Sequence, residues 1–239
     1  MTTPRVFILA AGSARRFNGC IKQLLPVAGE PIIRRTIRQV REHKPDAAIW
    51  VVTWHPDLMF PDVAVIDTGT QPPQLADSML WSKPLWGDRT IFLLGDVVYG
   101  DQALRDILEY SGPLAVIGRD HCRIKPNSER FALTFPGHQN KTVAELLRKS
   151  TSIFANTAYE NIAGIYKICL ASQPAWKRIH CTDYPVHSLL RPFRDYFVWH
   201  VLGGPLWYPD TFRTILVDDD MTTDIDTPED YAAFLELGK

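Results

Sequence analysis

The chain has 239 residues, of which 46% are apolar and 22% are charged, and this composition is typical of a folded globular protein rather than a disordered or fibrous one. Its 26 Lys and Arg residues balance 27 Asp and Glu residues, so the formal net charge is -1. This balance argues against a dedicated nucleic-acid-binding protein, which usually carries a strong positive excess. No apolar run approaches the roughly 18 residues that a membrane span needs.

The four cysteines are scattered and form no Cys-x-x-Cys pair, so their spacing matches no zinc motif. The apolar run near the N-terminus is too short for a secretory signal peptide. We therefore expect a cytoplasmic protein with reduced cysteines.

The first half of the chain alternates apolar runs with amphipathic segments, and an apolar run that stops at Gly12 opens it. The predicted elements are a strand over 5–11, a helix over 31–43, strands over 48–53 and 63–67, a helix over 75–85, a strand over 90–94, a helix over 101–110 and a strand over 114–117. The arginines of the helix over 31–43 lie away from its apolar side, which predicts a solvated basic face. The alternation predicts an α/β fold with a doubly wound, mainly parallel sheet.

The second half is more mixed. Its candidate elements are strands over 131–135, 162–168, 196–202 and 213–217, and helices near Thr142 and Val186. A last helix begins after Thr227 as its N-cap and has Gly238 past its end. We find no repeat or linker, so we expect one domain over 1–239, with a nucleotide-binding half over about 1–120 and an acceptor-binding half over about 121–239.

The loop after the first strand combines small and basic residues. It reads Leu9-Ala10-Ala11-Gly12-Ser13-Ala14-Arg15-Arg16-Phe17, and Lys22 follows. Small residues let backbone N–H groups approach an anion, and Arg and Lys supply the opposite charge. The sequence fits neither of the two standard phosphate-loop patterns. No Gly-Lys pair follows Gly12 at the spacing of G-x-x-x-x-G-K-[ST], and Ala14 interrupts G-x-G-x-x-G. An ordinary solvated surface loop is the alternative.

Two further motifs place carboxylates where a metal ion could bind. Asp96 follows the apolar strand over 90–94 after one glycine, and ligands of open α/β sheets bind beyond the carboxyl ends of strands. Asp224 and Asp226 alternate, so in an extended segment they would share one side. Asp96 could instead cap a helix, and Glu229 and Asp230 fit an ordinary acidic helix start.

These three motifs, in this order, resemble the nucleotidyltransferase superfamily with the nucleotide-diphospho-sugar-transferase type of fold. The resemblance implies that Arg16 and Lys22 act as catalytic residues on the phosphates of a nucleoside triphosphate (NTP). It implies Mg²⁺ as the cofactor, held by Asp96 and Asp226, with Asp224 a weaker candidate ligand. Ala14 departs from the commonest pattern, which has a second glycine there.

The resemblance also implies contacts to the two substrates. The implied nucleotide-binding residues are Leu9, Ala10, Ala11, Gly12, Ser13, Gln74 and Ser78, although a helix start explains Gln74 and Ser78 equally well. The implied acceptor-binding residues are Asn161, Arg148 and Lys149.

The implied reaction joins an NTP to a small phosphorylated acceptor, a sugar 1-phosphate or a phospho-alcohol, and releases pyrophosphate. The sequence shows no G-x-S-x-G motif and no cluster of histidines, which agrees with a reaction that needs no activated nucleophile. The alternatives are a molybdopterin nucleotidyltransferase, a metal-dependent glycosyltransferase that uses an NDP-sugar, and a non-catalytic nucleotide-binding domain. We expect no nucleic-acid or membrane partner, and the sequence leaves the oligomeric state open.

Overall fold

A computed structural model describes residues 3–12, 17, 19–70, 75–119, 129–155, 212–217 and 222–237. The strands are β1 (Arg5–Leu9), β2 (Pro26–Val27), β3 (Glu30–Pro31), β4 (Ala48–Thr53), β5 (Ala64–Asp67), β6 (Arg89–Leu94), β7 (Val97–Val98), β8 (Leu114–Arg119), β9 (Glu129–Pro136), β10 (Phe212–Leu216) and β11 (Thr223–Asp224). The α-helices are α1 (Ile32–His43), α2 (Leu75–Trp81), α3 (Asp101–Glu109), α4 (Asn140–Ala155) and α5 (Pro228–Leu237).

The central sheet has seven strands in the order β10-β8-β9-β6-β1-β4-β5. Strand β1 pairs in parallel with both β4 and β6, whereas β9 runs antiparallel to β6 and β8. Two short antiparallel pairs, β2–β3 and β7–β11, lie outside this sheet. The predicted α/β fold with a mixed, mainly parallel sheet is confirmed.

Helices cover both faces of the sheet because successive side chains of a strand point to opposite sides. Val6 and Ile8 of β1 pack in one core with residues of α1 and α3. Phe7 and Leu9 pack in the other core with residues of α2 and α4. This is the doubly wound arrangement that the alternation of strands and helices predicts.

The structure corrects two predicted boundaries. Strand β1 ends at Leu9 rather than at residue 11, because the chain leaves β6 there, although the Ala10 N–H still donates to the carbonyl of Val52 at 2.9 Å. Helix α2 ends at Trp81, and a separate 3-10 turn covers Lys83–Leu85, because Pro84 lacks the N–H that would continue an α-helix.

The strands predicted over 162–168 and 196–202 and the helix predicted near Val186 lie outside the described residues. The division of the chain into two halves stays a prediction. Within the described ranges, no helix has the length and apolar character needed to cross a membrane.

A third, smaller core joins the two ends of the chain, and we call it the edge cluster. Its buried members are Phe17, Val27, Ile32, Val98, Ile225 and Phe234. They come from the segment after β1, the β2–β3 pair, the start of α1, β7 and the C-terminal region. The edge cluster therefore packs residues near position 22 against residues near position 226.

Candidate functional site

The loops that follow β1 and β6 start side by side at one edge of the sheet. Leu9 lies opposite Leu94 in the parallel register, and the Gly95 N–H donates to the carbonyl of Leu9 at 2.9 Å. A Cβ atom on Gly95 would lie only 2.9 Å from that carbonyl oxygen and 3.2 Å from the Cβ of Ala10. Glycine at position 95 thus allows the turn that carries Asp96 to touch the end of β1.

Three of the residues singled out in the sequence meet at this edge. The Lys22 Nζ lies 2.5 Å from Oδ2 of Asp96 and 3.6 Å from Oδ1 of Asp226. The side chains of Lys22, Asp96 and Asp226 are 13%, 22% and 16% exposed. One partly buried ammonium thus lies between two carboxylates from distant parts of the sequence.

Backbone contacts hold Asp226 at this place. Strand β11 pairs with β7 directly after Asp96, and the Ile225 N–H donates to the carbonyl of Asp96 at 3.0 Å. Oδ2 of Asp230 accepts the N–H groups of Asp226 and Thr227, each at 3.0 Å, and the Asp230 N–H donates to Oγ1 of Thr227 at 3.2 Å. This reciprocal capping box supports the predicted N-cap at Thr227 and fixes the backbone of Asp226.

Asp224 lies in a different environment from Asp226. Asp224 is 7% exposed, and the next residue, Ile225, is fully buried in the edge cluster. Burial raises the pKa of the Tyr99 phenol well above its usual value, and the charges of Asp96 and Asp224 raise it further, while a hydrogen bond to Leu94 lowers it. Asp224 therefore lies on the interior side of the site, close to Tyr99.

Two residues that the sequence did not single out hold the start of the β1 loop. Oγ1 of Thr53 donates to the carbonyl of Ala10 at 3.3 Å, and Nε1 of Trp54 donates to the carbonyl of Ala11 at 3.1 Å. Gly12 follows, is exposed, and has open space where a Cβ would stand. The position of Thr53 and Trp54 at the end of β4, next to β1 in the sheet, is the signal that could have identified them.

The structure describes only some of the other predicted site residues. Ser13, Arg16, Gln74 and Asn161 lie outside the described residues. Ser78 lies on the buried side of α2 with 4% exposure, so its contact with a nucleotide stays a prediction. Arg148 is exposed on α4 and Lys149 is the next residue of that helix, so both belong to α4 rather than to the loops that carry Lys22 and Asp96.

A shallow cavity of about 340 Å³ lies elsewhere, on the arginine-rich side of α1. Arg34 and Arg41 both bind the carboxylate of Asp62, at 2.6 Å and 3.1 Å, and these hydrogen bonds lower the pKa of Asp62 to about 2. Arg38 binds Glu30 and Glu42. On the basic face predicted for this helix, Arg38 and Arg41 are exposed and Arg34 is half-buried, and acidic neighbours offset their charge.

The donor set at the sheet edge suits Mg²⁺. This ion prefers carboxylate oxygens, and in phosphate-transferring proteins it takes one or two of them together with substrate phosphates and water. Asp96 and Asp226 direct one oxygen each toward a single cationic group, the Lys22 ammonium. Across the part of the chain that the structure describes, no group of three or more His, Cys, Asp and Glu forms a metal site, so a pair of carboxylates is what this edge offers.

A family model supplies the deciding comparison, since residues 6–153 match the model described as "MobA-like NTP transferase domain". The chain belongs to this family. The matched residues include the β1 loop, Lys22 and Asp96. The predicted resemblance to the nucleotidyltransferases is thereby confirmed, and so is the predicted enzyme class of the domain.

The chain also resembles individual curated proteins over part of its length. The chain is 28% identical over 170 residues to the bifunctional protein GlmU of Methanococcus maripaludis, an alignment that covers 67% of the chain and 39% of that relative. The chain therefore spans well under half the length of this curated relative.

Two solved structures share the fold. One is the CTP:phosphocholine cytidylyltransferase LicC of Streptococcus pneumoniae, with a TM-score of 0.60, 11% identity and coverage of 100% of both chains. The other is a CMP:2-keto-3-deoxy-manno-octonic acid synthetase complexed with CTP, with a TM-score of 0.59, 14% identity and coverage of 99% of this chain and 98% of that one. At these identities the likeness extends to the fold alone.

Proposed function

We propose that this MobA-like domain transfers a nucleotidyl group from an NTP to a small phosphorylated acceptor, a sugar 1-phosphate or a phospho-alcohol, and releases pyrophosphate. The observation that carries this proposal is the meeting of Lys22, Asp96 and Asp226 beside the β1 loop. One cation that could bind phosphate and two carboxylates that could bind a metal ion thus lie at the edge of the sheet where ligands of α/β folds bind, which supports the proposal.

The β1 loop would bind the triphosphate. The exposed backbone at Gly12 leaves room for an oxygen-rich ligand, and Thr53 and Trp54 hold the preceding carbonyls in fixed positions. The Lys22 ammonium supplies positive charge from the side of Asp96, and Arg16 would add a second cation from the loop. Fixed positive groups of this kind stabilise the charge that develops when a phosphate leaves.

Asp96 and Asp226 would hold Mg²⁺. When bound, this ion would neutralise negative charge on the phosphates and help to orient them. The backbone bonds from Ile225 to Asp96 and from Asp226 to Asp230 keep the two carboxylates in place before any substrate arrives. The residues of this chain would therefore contribute a preorganised pair of ligands.

The bond changes of the proposed reaction balance without a redox step. An oxygen of the acceptor phosphate attacks the α-phosphorus of the NTP and forms a new P–O–P linkage. The bond from the α-phosphorus to its bridging oxygen breaks, and pyrophosphate leaves with that oxygen. Because the attacking phosphate is already an anion near neutral pH, the site needs to position charge rather than remove a proton.

Pyrophosphate release tests this proposal. Purified protein is mixed with each of the four common NTPs and with a panel of sugar 1-phosphates, phosphocholine, other phospho-alcohols and molybdopterin. We expect release that requires one NTP and one acceptor together. Nucleotide binding without release across the panel would contradict the proposal and favour a non-catalytic nucleotide-binding domain.

The same panel, extended by NDP-sugars, separates the remaining alternatives. Release only with molybdopterin would assign the acceptor to that cofactor. Turnover of an NDP-sugar without pyrophosphate would indicate a glycosyltransferase.

The four scattered cysteines support our proposal that the protein is cytoplasmic.

A further inference from the structure

We propose that Lys22 and a divalent cation compete for the same pair of carboxylates, so that Lys22 leaves Asp96 and Asp226 when the metal binds. The released ammonium would then be available to the substrate phosphates. This inference deepens the proposed function and rests on the metal site that the proposal includes.

The contacts of Lys22 carry the first step. Its Nζ is 2.5 Å from one oxygen of Asp96 and 3.6 Å from one oxygen of Asp226. The Lys22 side chain is 13% exposed, so its ammonium contacts both acids in a partly buried position. A metal ion that used these oxygens would meet a like charge within a few ångströms. Since Coulomb repulsion rises as distance falls and as water is excluded, the two cations disfavour each other there.

The lysine is the partner that can move. The carboxylates project from backbone that hydrogen bonds fix: Ile225 to Asp96, and Asp226 to Asp230. The backbone at Lys22 is fixed as well, since it opens the 3-10 turn Lys22–Leu24. The Lys22 side chain, however, is a flexible four-carbon stem that can redirect its ammonium without moving that turn.

This arrangement makes Lys22 a substitute for the metal. With no divalent cation bound, the ammonium offsets two partly buried negative charges that would otherwise repel each other. Once a cation binds, the same ammonium is free to bind phosphate. Metal loading and the positioning of Lys22 on the substrate thus become one coupled event.

Binding of Mn²⁺ to the full chain without nucleotide tests the competition, with free Mn²⁺ measured by electron paramagnetic resonance. We expect Lys22→Met to bind Mn²⁺ at least about tenfold more tightly than wild type, a change of about 1.4 kcal/mol. Lys22→Arg keeps the charge and should remain close to wild type. Asp96→Asn should weaken binding in both the wild-type and the Lys22→Met backgrounds, which assigns the signal to this site.

Lys83→Met is the matched control. Lys83 is exposed in the 3-10 turn before β6, and Arg5 at the start of β1 donates to the carbonyl of Leu85 in that turn. Lys83 therefore lies at the opposite edge of the sheet, and its loss should leave Mn²⁺ affinity unchanged. Equal or weaker affinity in Lys22→Met would overturn the inference, as would Mn²⁺ binding that Asp96→Asn leaves intact.

Thermal unfolding gives a second readout. Lys22→Met should unfold at a lower temperature than wild type without metal, because the ammonium no longer offsets its two acids, and Mn²⁺ should raise its midpoint more than that of wild type. An equal rise in both proteins would contradict the inference.

Pyrophosphate release by the same wild-type sample separates this inference from the proposed function. If the wild-type protein is active but the Lys22→Met variant binds Mn²⁺ no more tightly than wild type, the competition alone is refuted. The expected Mn²⁺ affinities in a protein without transferase activity would refute the proposed function and leave the competition standing.

Discussion

The amide N–H of Ile225 donates a 3.0 Å hydrogen bond to the carbonyl oxygen of Asp96. This single bond joins the turn after β6 to the segment before α5, which lie far apart in the sequence. The Ile225 side chain is fully buried in the edge cluster, so side-chain packing and the hydrogen bond to Asp96 both hold this segment in place. As a result, Asp226 stands next to Asp96 in the structure without any bound ligand.

Asp230 is expected to position Asp226. Asp230→Ala removes the oxygen that accepts the N–H groups of Asp226 and Thr227, so we expect a loss of about 1 kcal/mol in unfolding free energy. We also expect a lower kcat and a weaker affinity for Mn²⁺, because the Asp226 backbone is no longer held. Chemical denaturation, steady-state kinetics and Mn²⁺ titration provide the three measurements.

Glu229→Ala is the matched control, since Glu229 is an exposed acid of the same first turn of α5. It should change kcat and Mn²⁺ affinity little. If Asp230→Ala lowers stability but leaves both of these values unchanged, Asp230 only caps the helix.

Asp96→Asn is expected to lower turnover by about 10²–10³-fold, the range typical for the loss of one electrostatic contact in an active site. The substitution is nearly isosteric, so we expect the fold to stay intact and the unfolding midpoint to stay close to that of wild type. Glu109→Gln, at the exposed end of α3, serves as the control. Turnover of Asp96→Asn at the wild-type rate would remove Asp96 from the proposed site.

Gly12→Ala and Gly95→Ala are expected to act in opposite ways. A Cβ at position 12 would meet no protein atom within 4 Å, so stability should stay within about 0.5 kcal/mol of wild type while NTP affinity falls. A Cβ at position 95 would press on the carbonyl of Leu9, which should cost about 1–3 kcal/mol in unfolding free energy. Calorimetric unfolding and nucleotide titration of the two variants check this contrast. Unchanged NTP affinity in Gly12→Ala would show that the loop does not approach the nucleotide.

Tyr99→Phe is expected to lower the unfolding free energy by about 1–3 kcal/mol, because it removes a buried hydroxyl that donates to backbone carbonyls. The Tyr99 hydroxyl oxygen lies 3.1 Å from the carbonyl oxygen of Leu94 and 3.0 Å from that of Phe131, so its one hydrogen can bond either the end of β6 or β9. Urea unfolding measures the loss. A variant as stable as wild type would show that these carbonyls find other partners.

Local patterns were sufficient to predict much of this fold. The apolar run that stops at Gly12 and the alternation that follows it predicted β1, α1 and β4 in their observed order. The alternation predicted mainly parallel strands but not that β1 lies beside β6, the pairing that brings the loops of Gly12 and Asp96 to one edge.

Long-range pairings could not be predicted in the same way. The antiparallel insertion of β9 between β6 and β8, and the pairing of β11 with β7, depend on contacts between distant segments that leave no local signature. The bonds from Thr53 and Trp54 to the β1 loop likewise depend on the pairing of two distant segments, β4 and β1. The same holds for Lys22, whose sequence context predicted a cation near phosphates but not its position between the two carboxylates.

Transfer of a labelled α-phosphate tests the central claim most directly. The protein is incubated with Mg²⁺, an acceptor found active in pyrophosphate release, and its NTP labelled on either the α- or the γ-phosphorus. The account predicts that the α label enters the acceptor-linked product and the γ label leaves as pyrophosphate, and that Asp96→Asn reduces both. Release of the γ label as inorganic phosphate, or a product without the α label, would contradict it.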